Sequence, residues 1–495
     1  MRIHLGRLSS LGLAAVAAGC AAAVQPAGPP LRSLEARIDS ILSVPPLGRT
    51  SWGVLVRERG SGRVLYERNS ERHFIPASNT KLVVTTVALG TLGPDWRYRT
   101  PVLARVPAGD TAATELRIIG TGDPTFSARF WPAPQAPAAA FASTIAAAGI
   151  RHVALLTVDA ARFTDPGVNG TWEVGDLPGT SAPPVGAFAI QEGTFLVELR
   201  GAAQPGQPGS ALPLFVRVAP NIPDPQPVQA VLVTDTPHAR LRLTTEFTFR
   251  RDTIFLGGSI AAGEVDTVRL ALTDAPAAAA RALAHALAAH GVGVDSVAVL
   301  PAGKPAGDTI GMRRIGTLES PPLADIVAGI LQPSQNWMAE QLLKTLGAEA
   351  GTGGSWPGGI AVERKYLVER AGIDSLAFSL RDGSGLSAQN LLTPGAIVAL
   401  LDHARAAPWG DRYQAALAAP GLAGSTLENR LLGLRGRLQA KTGTISNVAS
   451  LSGFLVTDAG RELTFSIMSN GSGVPSALVR AAIDSTVSLL AREVR

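Results

Sequence analysis

The run HFIPASNTKLVV, residues 73–84, sets Ser78 three positions before Lys81. Of the 44 basic residues in the chain only Lys81, Lys304, Lys344, Lys365 and Lys441 are lysine. That bias matters because arginine does not surrender its proton inside a protein, whereas lysine does when it is desolvated or crowded by positive charge. With Ser78 at a helix start, Lys81 falls one turn later on the same face, within reach of the hydroxyl. A neutral amine there would take the proton that a serine must lose to become a nucleophile. A second cation nearby and the positive end of the helix dipole would both favour the neutral form. Locally, a helix start followed by a surface lysine has the same spelling.

Two further patterns carry chemistry. QAKTGTISN sets Lys441, Thr442 and Gly443 in an apparent strand. Such a strand can bind a peptide as an added β-strand, with Gly443 admitting the substrate backbone. Lys441 and Thr442 offer a charge and a hydroxyl to a terminal carboxylate. PSQNWMAE puts Ser334, Gln335 and Asn336 in a proline-initiated turn that enters a helix, and on local grounds Ser334 reads as its N-cap. In DGSGLS, Asp382 and Ser384 read as a turn shaped by the flanking Gly383 and Gly385. The chain has no Gly-x-Ser-x-Gly, His-Glu-x-x-His or Gly-x-Gly-x-x-Gly, so an α/β-hydrolase, a zincin and a dinucleotide enzyme have no foothold. The seven histidines are scattered. No metal or cofactor site is expected.

These residues need elements to position them. At 495 residues the chain is too long for one core, and 46% apolar with 17% charged residues is a globular composition. A formal charge of +5 with no basic run excludes an evident nucleic-acid surface. The alternation on both sides of RGSG in residues 52–69 predicts a hairpin, and residues 78–93 read as a helix closed by Gly93-Pro94. Three strands, RLQAKTGTI, ASLSGFLVTD and RELTFSIMSN, and a last helix from Pro475 close the chain. From about Trp96 to Asp274 short strands and Gly/Pro turns dominate, with one Ala-rich helix, as in separate folding units. The expected organisation is therefore an α/β domain built from 34–97 and 274–495, split by a mainly β insertion at 98–273.

Residues 1–20 read as an export signal, with Arg2, Arg7 and an apolar stretch too short to span a bilayer. VAAGC resembles a bacterial lipobox that ends at Cys20, although Ala17 stands where leucine is usual. Conventional cleavage near residues 21–23 is the other reading, and 21–33 is a Pro/Ala linker. Either reading puts the protein in the periplasm or cell envelope, with a lipid anchor at Cys20 under the first. Cys20 is the only cysteine, so the chain forms no internal disulfide.

Ser-x-x-Lys, Ser-x-Asn and Lys-Thr-Gly, in this order, form the active-site set of penicillin-binding proteins and serine β-lactamases. With GDPTF (122–126), SAPPVGA (181–187), SQNWMAEQLLKTLG (334–347) and DGSGLS (382–387), the chain resembles the D-alanyl-D-alanine carboxypeptidase/endopeptidases. These are the class C low-molecular-mass penicillin-binding proteins of peptidase family S13. The resemblance implies a multidomain α/β fold: a transpeptidase-like domain with a five-stranded antiparallel sheet flanked by helices, an α-helical part, and a large β-rich insertion.

It also implies roles. Ser78 attacks the penultimate D-Ala carbonyl of a peptidoglycan stem peptide, and Lys81 takes its proton. Ser334 relays a proton to the leaving amine, and Asn336 orients Lys81 and the substrate amide. Lys441 and Thr442 hold the carboxylate, and the oxyanion sits between the N–H groups of Ser78 and Thr444. β-Lactams would stall the enzyme as acyl adducts. Asp159 and Phe163, in VDAARF, stand where relatives meet a diaminopimelate side chain; a turn acid and a core ring are the plainer reading. Ala388-Gln389 follows DGSGLS where some relatives carry a basic residue. A β-lactamase or esterase on the same scaffold, and a non-catalytic wall-binding homologue, are the alternatives.

Overall fold

The computed structural model describes residues 33–214, 228–247, 253–304 and 308–494. The expected export segment with Cys20, and the linker through residue 32, lie outside them. Five strands form one antiparallel sheet in the order Leu438–Ile445, Val448–Val456, Glu462–Asn470, Ser51–Glu58, Val64–Arg68. The expected hairpin supplies its last two strands. Ser51 lies opposite Asn470 and Glu58 opposite Leu463, so the two ends of the chain share one ladder.

The strand Val448–Val456 explains how this sheet carries a site. It is buried on both faces, and period-2 alternation assigns each face a task. Ala449, Leu451 and Leu455 point to helices Leu34–Leu42 and Ser476–Glu493, in a core with Ile38, Ile483 and Leu490. Ser450 and Ser452 point the other way. Ser450 Oγ donates to Pro76 O at 2.8 Å, and Asn79 Nδ2 donates to Ser452 Oγ at 2.8 Å. Two small hydroxyl side chains thus let the turn Ala77–Thr80 rest directly on the sheet.

That turn continues as the helix Lys81–Leu92, buried on nearly every side and ended by Gly93 at φ 89°. A helix apolar all round belongs inside a bundle. Leu323–Leu331, Asn336–Glu349, Trp356–Glu369 and Pro394–Ala406 supply that bundle.

The inserted part is built on a second sheet in the order Gly293–Leu300, His152–Asp159, Glu115–Ile119, Arg99–Arg105, Arg313–Glu319, with Ala112–Ala113 beside His152–Asp159. Helices Ala136–Ala147 and Ala275–Ala289 share a core with it. The expected return at residue 274 is therefore corrected. The apolar face of Ala275–Ala289, with Ala280, Leu283 and Leu287, packs in that core, and the strand Arg313–Glu319 still belongs to the inserted sheet. Two three-stranded sheets complete the insertion. It is not an independent unit. Trp337 Nε1 donates to Pro184 O at 3.1 Å, Gln341 Nε2 to Gly186 O at 2.8 Å and Asn169 Nδ2 to Arg381 O at 2.9 Å.

Glu363, on Trp356–Glu369, is fully buried, and neither carboxylate oxygen has a hydrogen-bond partner among the described residues. Burial, then the Glu340 and Asp382 carboxylates, raise its pKa well above 4.5. The folded state thus holds a proton that the unfolded chain releases, so stability falls as pH rises above about 4.5. Glu363→Gln, which keeps the shape and removes the charge, is expected to raise the melting midpoint by about 2–4 °C at about pH 8. The gain should vanish toward about pH 4.5. A gain independent of pH in the same thermal series would contradict this origin.

Candidate active site

Ser78 follows Ala77, which holds a left-handed φ of 47°, and the carbonyl of Ala77 packs on Gly385. Lys81, one turn on, is fully buried. Its Nζ lies 2.9 Å from Ser78 Oγ and donates to Asn336 Oδ1 and to Ser384 O, each at 2.7 Å. Asn336 Nδ2 donates to Ser181 O at 2.9 Å, which fixes the amide so that its oxygen faces the amine. Lys441 Nζ donates to Ser334 Oγ at 2.8 Å and to Thr442 O at 2.7 Å. All five expected catalytic side chains therefore converge, from the turn at 77–80, the 334–336 turn and the edge strand Leu438–Ile445.

The electrostatic reason differs from the expectation. Burial pulls the Lys81 pKa down to about 7, while the Glu340 and Asp382 carboxylates push it up. No second cation is needed. The coupling between the lysines bears on the other partner: Lys441 is depressed well below its ordinary value by burial and then by Lys81. Ser334 also differs from its expected N-cap role. Gln335 is the cap residue of Asn336–Glu349, and Ser334 sits at φ 66° with its hydroxyl turned to Lys441.

Register accounts for the Lys-Thr-Gly strand. Lys441 pairs with Ser452 and Gly443 with Ser450, so both face the nucleophile turn. Gly443 is required there by the protein itself. A Cβ would lie 2.2 Å from Ser450 Oγ, 2.8 Å from Pro76 O and 3.1 Å from Ser78 N. The close approach of the turn is thus a reason of its own, beside the expected room for a substrate backbone. Thr442 Oγ1 donates to Thr426 Oγ1 at 2.9 Å, and the exposed Thr444 donates its hydroxyl to Gly443 O. Asp159 and Phe163 are not brought to the nucleophile. Asp159 accepts from Ala161 N within its own turn, and Phe163 is a fully covered core ring 5.5 Å from Lys344 Nζ.

Sequence reasoning missed Glu340. Fully buried, it accepts from Ser384 N at 2.7 Å, Gly383 N at 3.0 Å and Trp356 Nε1 at 2.7 Å. Burial and the Asp382 carboxylate raise its pKa to about 7, while the three N–H donors favour the ion. Asp382 accepts from Gly385 N, Ser387 N, Asn390 Nδ2 and Trp172 Nε1, the last from the insertion. Together the two acids hold the loop whose Ser384 carbonyl meets Lys81. The available signal was a glutamate one helical turn after Asn336, on the same face.

Gly443→Ala must displace the turn that carries Ser78. It is expected to slow covalent labelling of Ser78 by a serine-directed acylating probe about 10²-fold. A labelling rate equal to that of the native protein would show that the turn yields freely.

Comparison with known proteins agrees with this geometry. Residues 34–493 match the model of the D-Ala-D-Ala carboxypeptidase 3 (S13) family. A D-alanyl-D-alanine carboxypeptidase of Actinomadura sp. (strain R39) is 32% identical over 464 residues, covering 91% of this chain and 83% of that protein. The crystal structure of penicillin-binding protein 4 from Haemophilus influenzae superposes with a TM-score of 0.78 at 20% identity, over 92% of this chain and 99% of that one. A predatory endopeptidase from Bdellovibrio bacteriovorus shares the fold more loosely, with a TM-score of 0.52 at 17% identity over 89% and 92% of the two chains. A family match over nearly every described residue, together with the convergence of the three motifs, leads to one conclusion: the chain belongs to the S13 family of D-Ala-D-Ala carboxypeptidases.

Proposed function

We propose that this D-Ala-D-Ala carboxypeptidase cleaves peptidoglycan stem peptides through an acyl-enzyme on Ser78, with Lys81 as the base. One observation carries the reading. A neutral amine has two N–H bonds and one lone pair. Asn336 Oδ1 and Ser384 O are pure acceptors and take both N–H bonds, so the lone pair is left for the Ser78 hydroxyl at 2.9 Å. The serine proton passes to Lys81 as Oγ attacks the penultimate D-Ala carbonyl. Ser334, bonded to Lys441, relays a proton to the departing amine: its hydroxyl proton leaves with the amine and the one taken up by Lys81 replaces it, so Lys81 is neutral again for the water step. Among the described residues nothing accepts from Ser78 N–H. With Thr444 N–H it forms the oxyanion site, each donor contributing about 3 kcal/mol. Water then releases the acyl group, and a β-lactam remains bound as a stable acyl adduct.

Lys441 forms no ion pair with a carboxylate among the described residues. An incoming carboxylate therefore supplies the counter-charge that favours its ammonium form. Thr442 adds a hydroxyl to the same group. Asp159 and Phe163, both turned into the protein, take no part in this mechanism. The substrate is a cell-wall polymer, so the enzyme acts outside the cytoplasm. A lipid on Cys20 is tested by the mass of the mature N-terminus, an acylated Cys20 or an unmodified residue after it. The same scaffold run as a β-lactamase would deacylate penicillin faster than it turns over D-Ala-D-Ala peptides, and a wall-binding homologue would capture no penicillin.

Three outcomes check the mechanism. Fluorescent penicillin is expected to label the native protein and not Ser78→Ala; persistent labelling of that variant would assign the nucleophile elsewhere. The acylation rate should rise with pH through about 7, as Lys81 gives up its proton. In Glu340→Gln, which removes a carboxylate that raises the Lys81 pKa, that midpoint should move to lower pH. A midpoint that stays put or rises would argue against Lys81 as the titrating base. Amidating the substrate C-terminus, which removes the partner of Lys441, is expected to cost about 10²-fold in kcat/KM; equal turnover of acid and amide would remove Lys441 from substrate binding.

A further inference from the structure

Helices Ala136–Ala147 and Ala275–Ala289 pack on one face of the five-stranded core of the inserted sheet. The other face has no helix of its own among the described residues. The strand Arg99–Arg105 shows the difference: Thr100, Val102 and Ala104 are buried, whereas Pro101, Leu103 and Arg105 are only half-buried. Register places the remaining side chains of this second face. Arg314 lies opposite Leu103, Leu103 opposite Arg117, Arg117 opposite Thr157 and Thr157 opposite Ala298, one row across all five strands. At about 4.8 Å per strand the row spans roughly 20 Å. Arg105, opposite Glu115, lies in the next row, diagonal to Arg314.

The charges on this face do not cancel. Arg117 Nε and Nη2 donate to Glu115 Oε1 at 2.9 and 2.6 Å, which holds the guanidinium in place. Its Nη1 has no partner among the described residues, although Arg117 is only 6% exposed. A donor closed off in this way is costly until an acceptor reaches it. Arg99 is paired with Glu319, and Asp159, at the far end of the face, bonds within its own turn. Arg105 spends one donor on Ile310 O at 2.5 Å, Arg314 is exposed, and neither forms an ion pair among the described residues. Glu115 offsets one of the three arginines 105, 117 and 314, so two positive charges stay unmatched, each on a side chain whose planar fork fits a carboxylate.

We propose that this face is a docking surface for the peptidoglycan polymer, on which Arg105, Arg117 and Arg314 hold carboxylates of stem peptides other than the one being cut. It rests on the reading of the chain as a stem-peptide carboxypeptidase. Every unjoined stem peptide ends in a carboxylate, so the polymer is a polyanion, and a half-exposed face with unmatched arginines complements it. No bond is made or broken there. Removal of one D-Ala uncovers a new carboxylate on the shortened peptide, so the hold outlasts the reaction and keeps the enzyme on the polymer between cuts.

The test uses protein already acylated by fluorescent penicillin, so that the nucleophile is closed and only a separate surface can hold polymer. Its co-sedimentation with insoluble peptidoglycan is measured over a range of salt. The native protein is expected to sediment, less so as salt rises. Arg105→Gln combined with Arg314→Glu should weaken binding about tenfold. Arg313→Glu is the control: that residue is exposed on the same strand, but it lies opposite Ala104 and so on the helix-covered face. It should change binding less than about twofold. Peptidoglycan with amidated carboxylates should bind native protein as weakly as the double variant binds the untreated polymer. Equal rates of penicillin labelling in all variants are expected and show that the active site is intact. Native protein that takes penicillin yet does not sediment overturns the docking surface alone. So does a double variant that binds like the native protein, an equal loss in Arg313→Glu, or undiminished binding of the amidated polymer. Native protein that takes no penicillin overturns the functional reading beneath it.

Discussion

A lysine closed off from water, whose contacts are two carbonyl oxygens and one hydroxyl, is the constraint around which the molecule is arranged. In water an ammonium is favoured by several units over the free amine, and only desolvation reverses that preference strongly. Carboxylates in contact would undo the effect. Glu340 and Asp382 instead stand behind the Ser384 loop, near enough to pull on the charge and too far to pair with it. The amine titrates at about 7 because burial outweighs the pull of the two carboxylates, which keeps it from falling further.

The surrounding architecture follows from keeping that amine dry and aimed. The helix that carries it is buried from Lys81 to Leu89, so it needs neighbours on nearly every side, and the bundle provides them. Its first turn rests on the sheet because Gly443, Ser450 and Ser452 are small where any larger side chain would intrude. The insertion is part of the same enclosure. Ser181 fixes Asn336 and Trp172 fixes Asp382, so residues far from the motifs in sequence hold both carbonyl partners of the amine. Lys344, buried against the Trp356 ring at 3.6 Å and paired with Asp165 of the insertion, fastens the same two parts together.

How much of this was legible follows from what pattern can encode. Short-range geometry was readable: the Ser78 to Lys81 spacing, the hairpin around RGSG and the close of the helix at Gly93 are set by a few neighbouring residues. The motif order announced the meeting of Ser334 and Lys441, though nothing local announced that Ser334 would leave its cap position for a left-handed one. The end of the insertion was misjudged because the Ala-rich run at 275–289 is helical in either half, and only its packing partners decide where it belongs. Glu340 stayed hidden because a glutamate inside a helix looks like a solvated one until its neighbours are known. The same applies to Phe163, whose ring is core.

The shared ladder between Ser51–Glu58 and Glu462–Asn470 has a consequence in time. A ribosome finishes the first strand of that sheet some four hundred residues before the strand that must lie beside it, and contacts so distant along a chain form slowly. The edge strand with Lys441 is also late. A nascent chain therefore holds the serine and its base without the wall that faces them. Competence therefore waits until the C-terminal strands dock beside Ser51–Glu58 and bring the wall that carries Lys441.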